Sequence, residues 1–542
     1  MRYLVTGGAA AVIFAIPAFL AAVELPRTNE RWTKTEFENF LIFSNAPDRQ
    51  VRRVAEDLLR LRQTLAEVSK LETRSAVPTY VYAFRNEASF APFREAAVGK
   101  NRKAVQGIFV ENSDANRILL PADSGVDEVI YHELTHYFVR NTVVGVPHWL
   151  DEGLGEFYGT FSPGGGSNSV RVGLPNKVHL TFLQEKGLMP LSALLTFDPW
   201  KYKSSDPIME QFYGESWLFA HYLLIGNPKR GAALGQFLSL LDQGEPVVEA
   251  FERAFGTTMQ TVQGELNSYL QRGRYNATTY TLSQTGLANV PEPAQMARDE
   301  VLTVLGDLLL HTDPREGADV FLRQAVEINP RNAFALADLG VFQCAHDRCG
   351  EGEKLCMRAV DAAGNDHRPL VLYGAQRVAE LQKRARDGEK VTSESIAFAR
   401  DLANRAVRMA PNDPNAMAIL GQTYSFPGED PQIGMKALEK SFQFAPSRLD
   451  IAVDLVLLYE IAGRDNLARS IIARVVRPAG IDRFLNESQE NLTFGEYVRG
   501  LNLLQSGAKA QAKDHLRHAL ESVTNPKLKH TIVTILATNA GD

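Results

Sequence analysis

The segment with the most chemical content is Asp127-Glu-Val-Ile-Tyr-His132-Glu133-Leu-Thr-His136-Tyr-Phe-Val139. On a helix, His132 and His136 stand four residues apart, so their imidazoles share one face about one turn apart. Two nitrogens placed in this way can reach a single zinc ion. Glu133 flanks the same face, where a carboxylate meets a metal-bound water rather than the metal. Sixteen residues after His136 comes Glu152, within Trp149-Leu150-Asp151-Glu152-Gly153-Leu154-Gly155-Glu156-Phe157-Tyr158. Glu152 and Glu156 are again four apart and share a helix face. Two His and one Glu form a known zinc set that leaves a fourth position for water. Any one of these residues alone is compatible with an ordinary core or surface role. Their order along one short stretch argues for a joint one.

Here the chain resembles the gluzincin metallopeptidases, the thermolysin-like and aminopeptidase-like clan. The resemblance rests on His132-Glu133-x-x-His136 followed by Trp149-Leu150-x-Glu152-Gly153. It is also similar to bacterial peptidase MA-like proteins that end in tetratricopeptide repeats, over roughly residues 35–275. The resemblance implies that His132, His136 and Glu152 bind Zn2+, that Glu133 is the general base, and that Glu156 orients a zinc-bound His. It also implies that Tyr213, in Phe212-Tyr213-Gly214-Glu215-Ser216-Trp217, donates a hydrogen bond to the oxyanion. For Tyr213 a core position under the site is the open alternative. The spacer from His136 to Glu152 is 15 residues, shorter than in the aminopeptidase branch, and no exopeptidase motif accompanies it. His148 and His221 are read as ordinary helix residues. By this resemblance zinc would lower the pKa of its water and polarise a scissile carbonyl, with Glu133 shuttling the proton.

The elements that must hold these residues follow from periodicity. Phe40-Leu41-Ile42-Phe43, Thr79 to Phe84, Gln106 to Val110 and Arg117 to Leu120 read as strands. An amphipathic helix is expected from about Arg49 to Leu71, where Val51, Val54, Leu58, Leu61 and Leu65 recur at helical spacing. Asp127 can cap the next helix, because its side chain can accept from unpaired N–H groups of the first turn. The expected order is therefore an α+β part over 35–126 and a helical, metal-binding part over 127–275, together a zincin-like domain. Ser162 to Ser169 reads as a flexible surface loop, and 276–294, rich in Thr, Ser, Asn and Pro, as a linker.

Beyond the linker the style changes. Ala325 to Pro330 precedes Ala333 to Gly340, and Ala406 to Pro411 precedes Ala416 to Gly421. From Pro411 to Pro446 is 35 residues, close to the tetratricopeptide period of about 34. Residues 295–540 thus resemble an all-α array of tetratricopeptide-like repeats with an insertion near 380–396. A bundle of unrelated short helices is the competing reading.

The bulk numbers set limits. A chain of 542 residues with net charge −6 is too long for one core and lacks the basic excess of a nucleic-acid binder. Met1-Arg2 followed by apolar residues to Val23 reads as a secretory signal over 1–22, cleaved after Ala22. An uncleaved membrane anchor over residues 3–23 is the alternative, and with it the only membrane contact. Either way the body is expected to be exported, to the bacterial periplasm or outside the cell. Cys344, Cys349 and Cys356 admit a local bridge or plain burial. Two functional readings result. One is an exported zinc peptidase acting on a peptide or protein substrate; the other is a non-enzymatic adaptor binding protein partners through its repeats.

Overall fold

The structure is a computed structural model that describes residues 23–99, 105–164, 168–283, 290–312, 317–476, 492–505, 507–523 and 526–538. The signal or anchor expected at 1–22 lies outside the described residues. Among the described residues no helix is long and apolar enough to cross a membrane.

The first module is a sheet built from β1 (Thr33–Phe37), β2 (Phe40–Ser44), β3 (Thr79–Phe84), β4 (Ile108–Glu111) and β5 (Asn116–Pro121). Its order is β4-β5-β3-β2-β1, with β2, β3 and β5 parallel and β1 and β4 antiparallel to their neighbours. Parallel neighbours need crossovers. Helix α1 (Asp48–Val68) supplies the one from β2 to β3, and α2 (Glu87–Val98) lies between β3 and β4. The site helices α3 (Glu128–Thr142) and α4 (His148–Gly159) follow β5 directly.

The segment 162–169 is partly paired: β6 (Ser162–Pro163) runs antiparallel to β7 (Ser169–Val172). Within 276–294, β8 (Thr278–Thr281) joins β7, while β9 (Ala294–Gln295) begins at its end and extends the main sheet beside β1.

Every residue of β3 and β5 is buried, so both faces of the sheet are covered. Alternation along the strand decides which residue meets which layer. Val81, Ala83, Ile118 and Leu120 pack with Leu58 and Leu65 of α1 and with Ile130 and Leu134 of α3. Tyr80, Tyr82, Phe84 and Leu119 point the other way, into Leu302, Leu305 and Leu309 of the first repeat helix.

The repeats begin at helix 298–310. Helix pairs start at residues 298, 333, 368, 414 and 449, giving offsets of 35, 35, 46 and 35 residues. The long interval is the expected insertion: its helices run Arg368–Arg386 and Ser393–Met409. A further pair, Leu492–Gln505 and Lys509–Ser522, precedes Pro526–Thr538. Helices of a pair approach through glycine. A Cβ on Gly340 would lie 2.5 Å from Cys356 Sγ, and one on Gly421 2.6 Å from Leu438 Cγ. Pro330 and Pro411, each just past a second helix, lack the N–H needed to continue it. Asn332 and Asp413 then cap the next helix through their side chains. The three cysteines in this region are free thiols.

The sheet module packs on the first repeat helix and touches the array at several points farther along. Arg117 and Tyr82 bond Asp307, Arg368 reaches Tyr80, and Arg448 donates to the Ser113 carbonyl. Farther on, Ser447 bonds Glu111 and Asn141, and Val77 joins the core of the later repeats.

Candidate metal centre

Local sequence explains why α3 and α4 close on each other. Asp127 Oδ1 accepts from the Ile130 N–H at 3.1 Å and starts α3. Helix α4 presents Gly155 to the two imidazoles, and a Cβ there would lie 2.9 Å from His132 Cε1 and 3.0 Å from His136 Cε1. On its other side a Cβ at Gly153 would lie 2.5 Å from the Ser216 carbonyl of α7 (Pro207–His221). The short helices α5 (Lys177–Lys186) and α6 (Leu191–Leu195) fill the chain between α4 and α7. Glycine at 153 and 155 therefore sets the helix spacing.

This spacing brings His132 Nε2 and His136 Nε2 within 2.8 Å of each other. Glu152 Oε2 stands 3.6 Å from the first and 3.4 Å from the second. Both histidines are buried, and the three ligand atoms lie within 4.8 Å of one another. Two inward lone pairs and a carboxylate at this separation are a donor set that suits a divalent cation, and His2Glu suits zinc. Burial opposes ionisation of Glu152, but the two imidazoles outweigh it and hold the carboxyl well below the usual range. Burial also disfavours the His136 imidazolium, yet Asp151 and Glu152 together push its pKa up to about 10.

Each imidazole has a carboxylate behind it. His136 Nδ1 lies 2.8 Å from Asp151 Oδ1, and Arg140 Nε donates to Asp151 Oδ2 at 2.8 Å. Against the cost of burial, Arg140 and His136 keep Asp151 ionised below its ordinary range. His132 Nδ1 lies 3.8 Å from Glu156 Oε1, and Glu156 Oε2 lies 3.0 Å from His179 Nε2. His179 Nδ1 in turn meets Glu210 Oε1 at 3.0 Å. An Nδ1–H turned to a carboxylate leaves Nε2 as the metal-facing atom.

The structure brings His132, His136, Glu152 and Glu156 together. Glu133 is half-buried on α3. Tyr213 is half-buried on α7, packed beside Phe212 with ring centroids 5.7 Å apart. His221 is buried and takes no part, with Nε2 on the Gly173 carbonyl and Nδ1 on the Tyr269 hydroxyl. Burial lowers its pKa to about 4, so it is a neutral core histidine. Sequence reasoning missed Asp151, Arg140, His179 and Glu210. Asp151 had a signal in its adjacency to Glu152. His179 and Glu210 had none, being joined to the site only in space.

A second acidic cluster, Asp114, Asp307 and His311, has ligand-like spacing. The Arg117 guanidinium already fills it, donating to Asp114 at 2.6 Å and to Asp307 at 2.9 Å.

No protein-family profile and no curated protein matches the chain. Solved structures do resemble it. One, titled for the functional characterisation of Pseudomonas aeruginosa pilF, is 18% identical with TM-score 0.31, covering 44% of this chain and 97% of that one. A tetratricopeptide repeat protein from Parabacteroides merdae is 10% identical with TM-score 0.29, covering 57% and 99%. The human IFIT1 dimer with PPP-AAAA is 14% identical with TM-score 0.30, covering 67% and 86%. These structural neighbours are tetratricopeptide-repeat proteins, and the expected peptidase finds no support among them. His-Glu-x-x-His spacing fixes where two imidazoles point, and a motif match alone does not establish turnover. No hydrolytic role is therefore assigned to Glu133 or Tyr213.

Proposed function

We propose that this chain is a non-enzymatic adaptor that binds protein partners through its helical repeats, working in the exported body of the protein. We propose also that zinc on His132, His136 and Glu152 ties α3 to α4 in the module that braces those repeats. One observation carries the adaptor reading. The first inner helix packs on the sheet, while the outer helices of successive pairs leave large apolar side chains exposed. These include Met357 at 55% exposure on 349–362, Phe398 at 41% on 393–409 and Ile433 at 48% on 431–444. Stacked repeats build extended surfaces that recognise partners. The zinc reading is supported by the donor set and by the carboxylates that orient both imidazoles.

The test is in-cell cross-linking of the full chain, with captured proteins identified by mass spectrometry. A defined partner should be retained by Glu133→Gln and lost on Phe398→Glu or Ile433→Glu, with zinc content unchanged. Elemental analysis should find about one zinc per chain in the wild type and none in His132→Ala/His136→Ala. Capture insensitive to both outer-helix changes would overturn the adaptor reading. A wild type that takes up no added zinc would overturn the metal.

A further inference from the structure

His179 comes from a different element than any ligand, yet it is buried against the site with its side chain 3% exposed. It lies near the start of α5, where the Asn176 side chain accepts from the Val178 and His179 N–H groups. Gly214 lets α7 pass close, since a Cβ there would stand 3.2 Å from His179 Cβ. That closeness puts the ring between a carboxylate of α4 and one of α7. Both ring nitrogens face carboxylate oxygens at 3.0 Å, Glu156 on one side and Glu210 on the other. A carboxylate only accepts, so both nitrogens must carry a proton and the ring is an imidazolium. In agreement, the two carboxylates overcome burial and raise its pKa to about 9.

The site then has two arms. On one, the Arg140 cation holds Asp151, which bonds His136 at 2.8 Å. On the other, the His179 cation holds Glu156, whose second oxygen stands 3.8 Å from His132 Nδ1. We propose that His179, anchored by Glu210, is a positioning residue that fixes Glu156 behind His132 and thereby sets the affinity of the His132–His136–Glu152 site for zinc. The inference rests on the zinc reading above. Without His179, Glu156 loses the charge-assisted bond that fixes its rotamer, and His132 loses the fixed negative charge beside its Nδ1. A purely structural ion pair would behave differently: its loss would lower the stability of the metal-free protein and leave metal affinity alone.

The experiment measures zinc dissociation constants of the full chain by competition with a chromogenic chelator, together with visible spectra after cobalt substitution. His179→Gln should weaken zinc about 10–100-fold, the range for loss of a group that orients a metal-bound histidine. Its cobalt bands should shift as the His132 ring turns. Glu210→Gln, at a partly exposed position, should weaken zinc in the same direction by less, and serves if His179→Gln fails to fold. Glu185→Gln, exposed on the same helix, should leave both readouts unchanged. Wild-type zinc binding with affinity unaltered in His179→Gln and Glu210→Gln would overturn this inference alone. Absence of zinc binding by the wild type would instead remove the reading beneath it.

Discussion

Glu215 is fully buried on α7 with only half of its carboxyl engaged. Oε2 accepts from the Met189 N–H at 2.8 Å, and Oε1 has no hydrogen-bond partner among the described residues. Burial without a counter-ion pushes its pKa up to about 8. The folded-state value lies above the unfolded one, so the group's contribution to stability is complete in acid and lost as pH rises through about 8. Glutamine keeps the acceptor for Met189 and never ionises. Glu215→Gln should therefore melt close to wild type at pH 5 and increasingly above it towards pH 9, by up to about 1.4 kcal/mol for each pH unit within the window. Melting curves of the full chain at pH 5, 7 and 9 check this, and a gap that does not grow with pH would refute it. At this scale the sequence was legible where chemistry repeats along a helix. Spacing puts His132 with His136, and Glu152 with Glu156, on shared helix faces, and the resemblance joins the two pairs. Asp151 was hidden beside a stronger candidate, and His179 and Glu210 were hidden because 23 and 54 residues separate them from Glu156.

Helices α3, α4 and α7 hold the centre by close approach, and glycine makes that approach possible. Gly155→Ala would drive a methyl carbon to 2.9 Å from His132 and 3.0 Å from His136, neither of which can retreat into solvent. Such overpacking costs about 1–3 kcal/mol, which exceeds the ~1 kcal/mol that alanine gains in helix propensity. The variant should melt lower than wild type and lose zinc. Gly235→Ala gives the contrast. It sits in helix 234–242 with nothing within 4 Å of an added Cβ, so only the propensity gain remains. It should match or exceed wild-type stability, and a loss of the same size at both positions would defeat the packing argument. Elements with strong periodicity, such as β2, β3 and α1, were readable in advance. Strands β1 and β9 were not: β1 reads Thr-Lys-Thr-Glu-Phe and β9 is two residues long, so pairing rather than propensity defines them.

On the scale of the whole molecule, the sheet is a middle layer between the metal helices and the repeats. The sequence carried half of that arrangement. Tyr80, Tyr82 and Phe84 alternate with Val81 and Ala83, which demands two covered faces, but nothing local says that helix 298–310 covers the aromatic one. One polar link across this interface is Arg117, 1% exposed, bound to Asp307, equally buried, and to Asp114. Arg117→Met would leave Asp307 without its counter-charge, a loss of about 3–5 kcal/mol when one partner of a buried pair is removed. Replacing both partners by apolar residues is often close to neutral, so Arg117→Met/Asp307→Leu should recover most of the lost melting temperature. If the link holds repeats and sheet together, the single variant should also become more sensitive to limited proteolysis, and the double variant less so. A double variant no more stable than Arg117→Met would show that the interface depends on the aromatic face instead. The repeats would then be held by Tyr82, Phe84 and their leucine partners, and the buried charges would set only which faces meet.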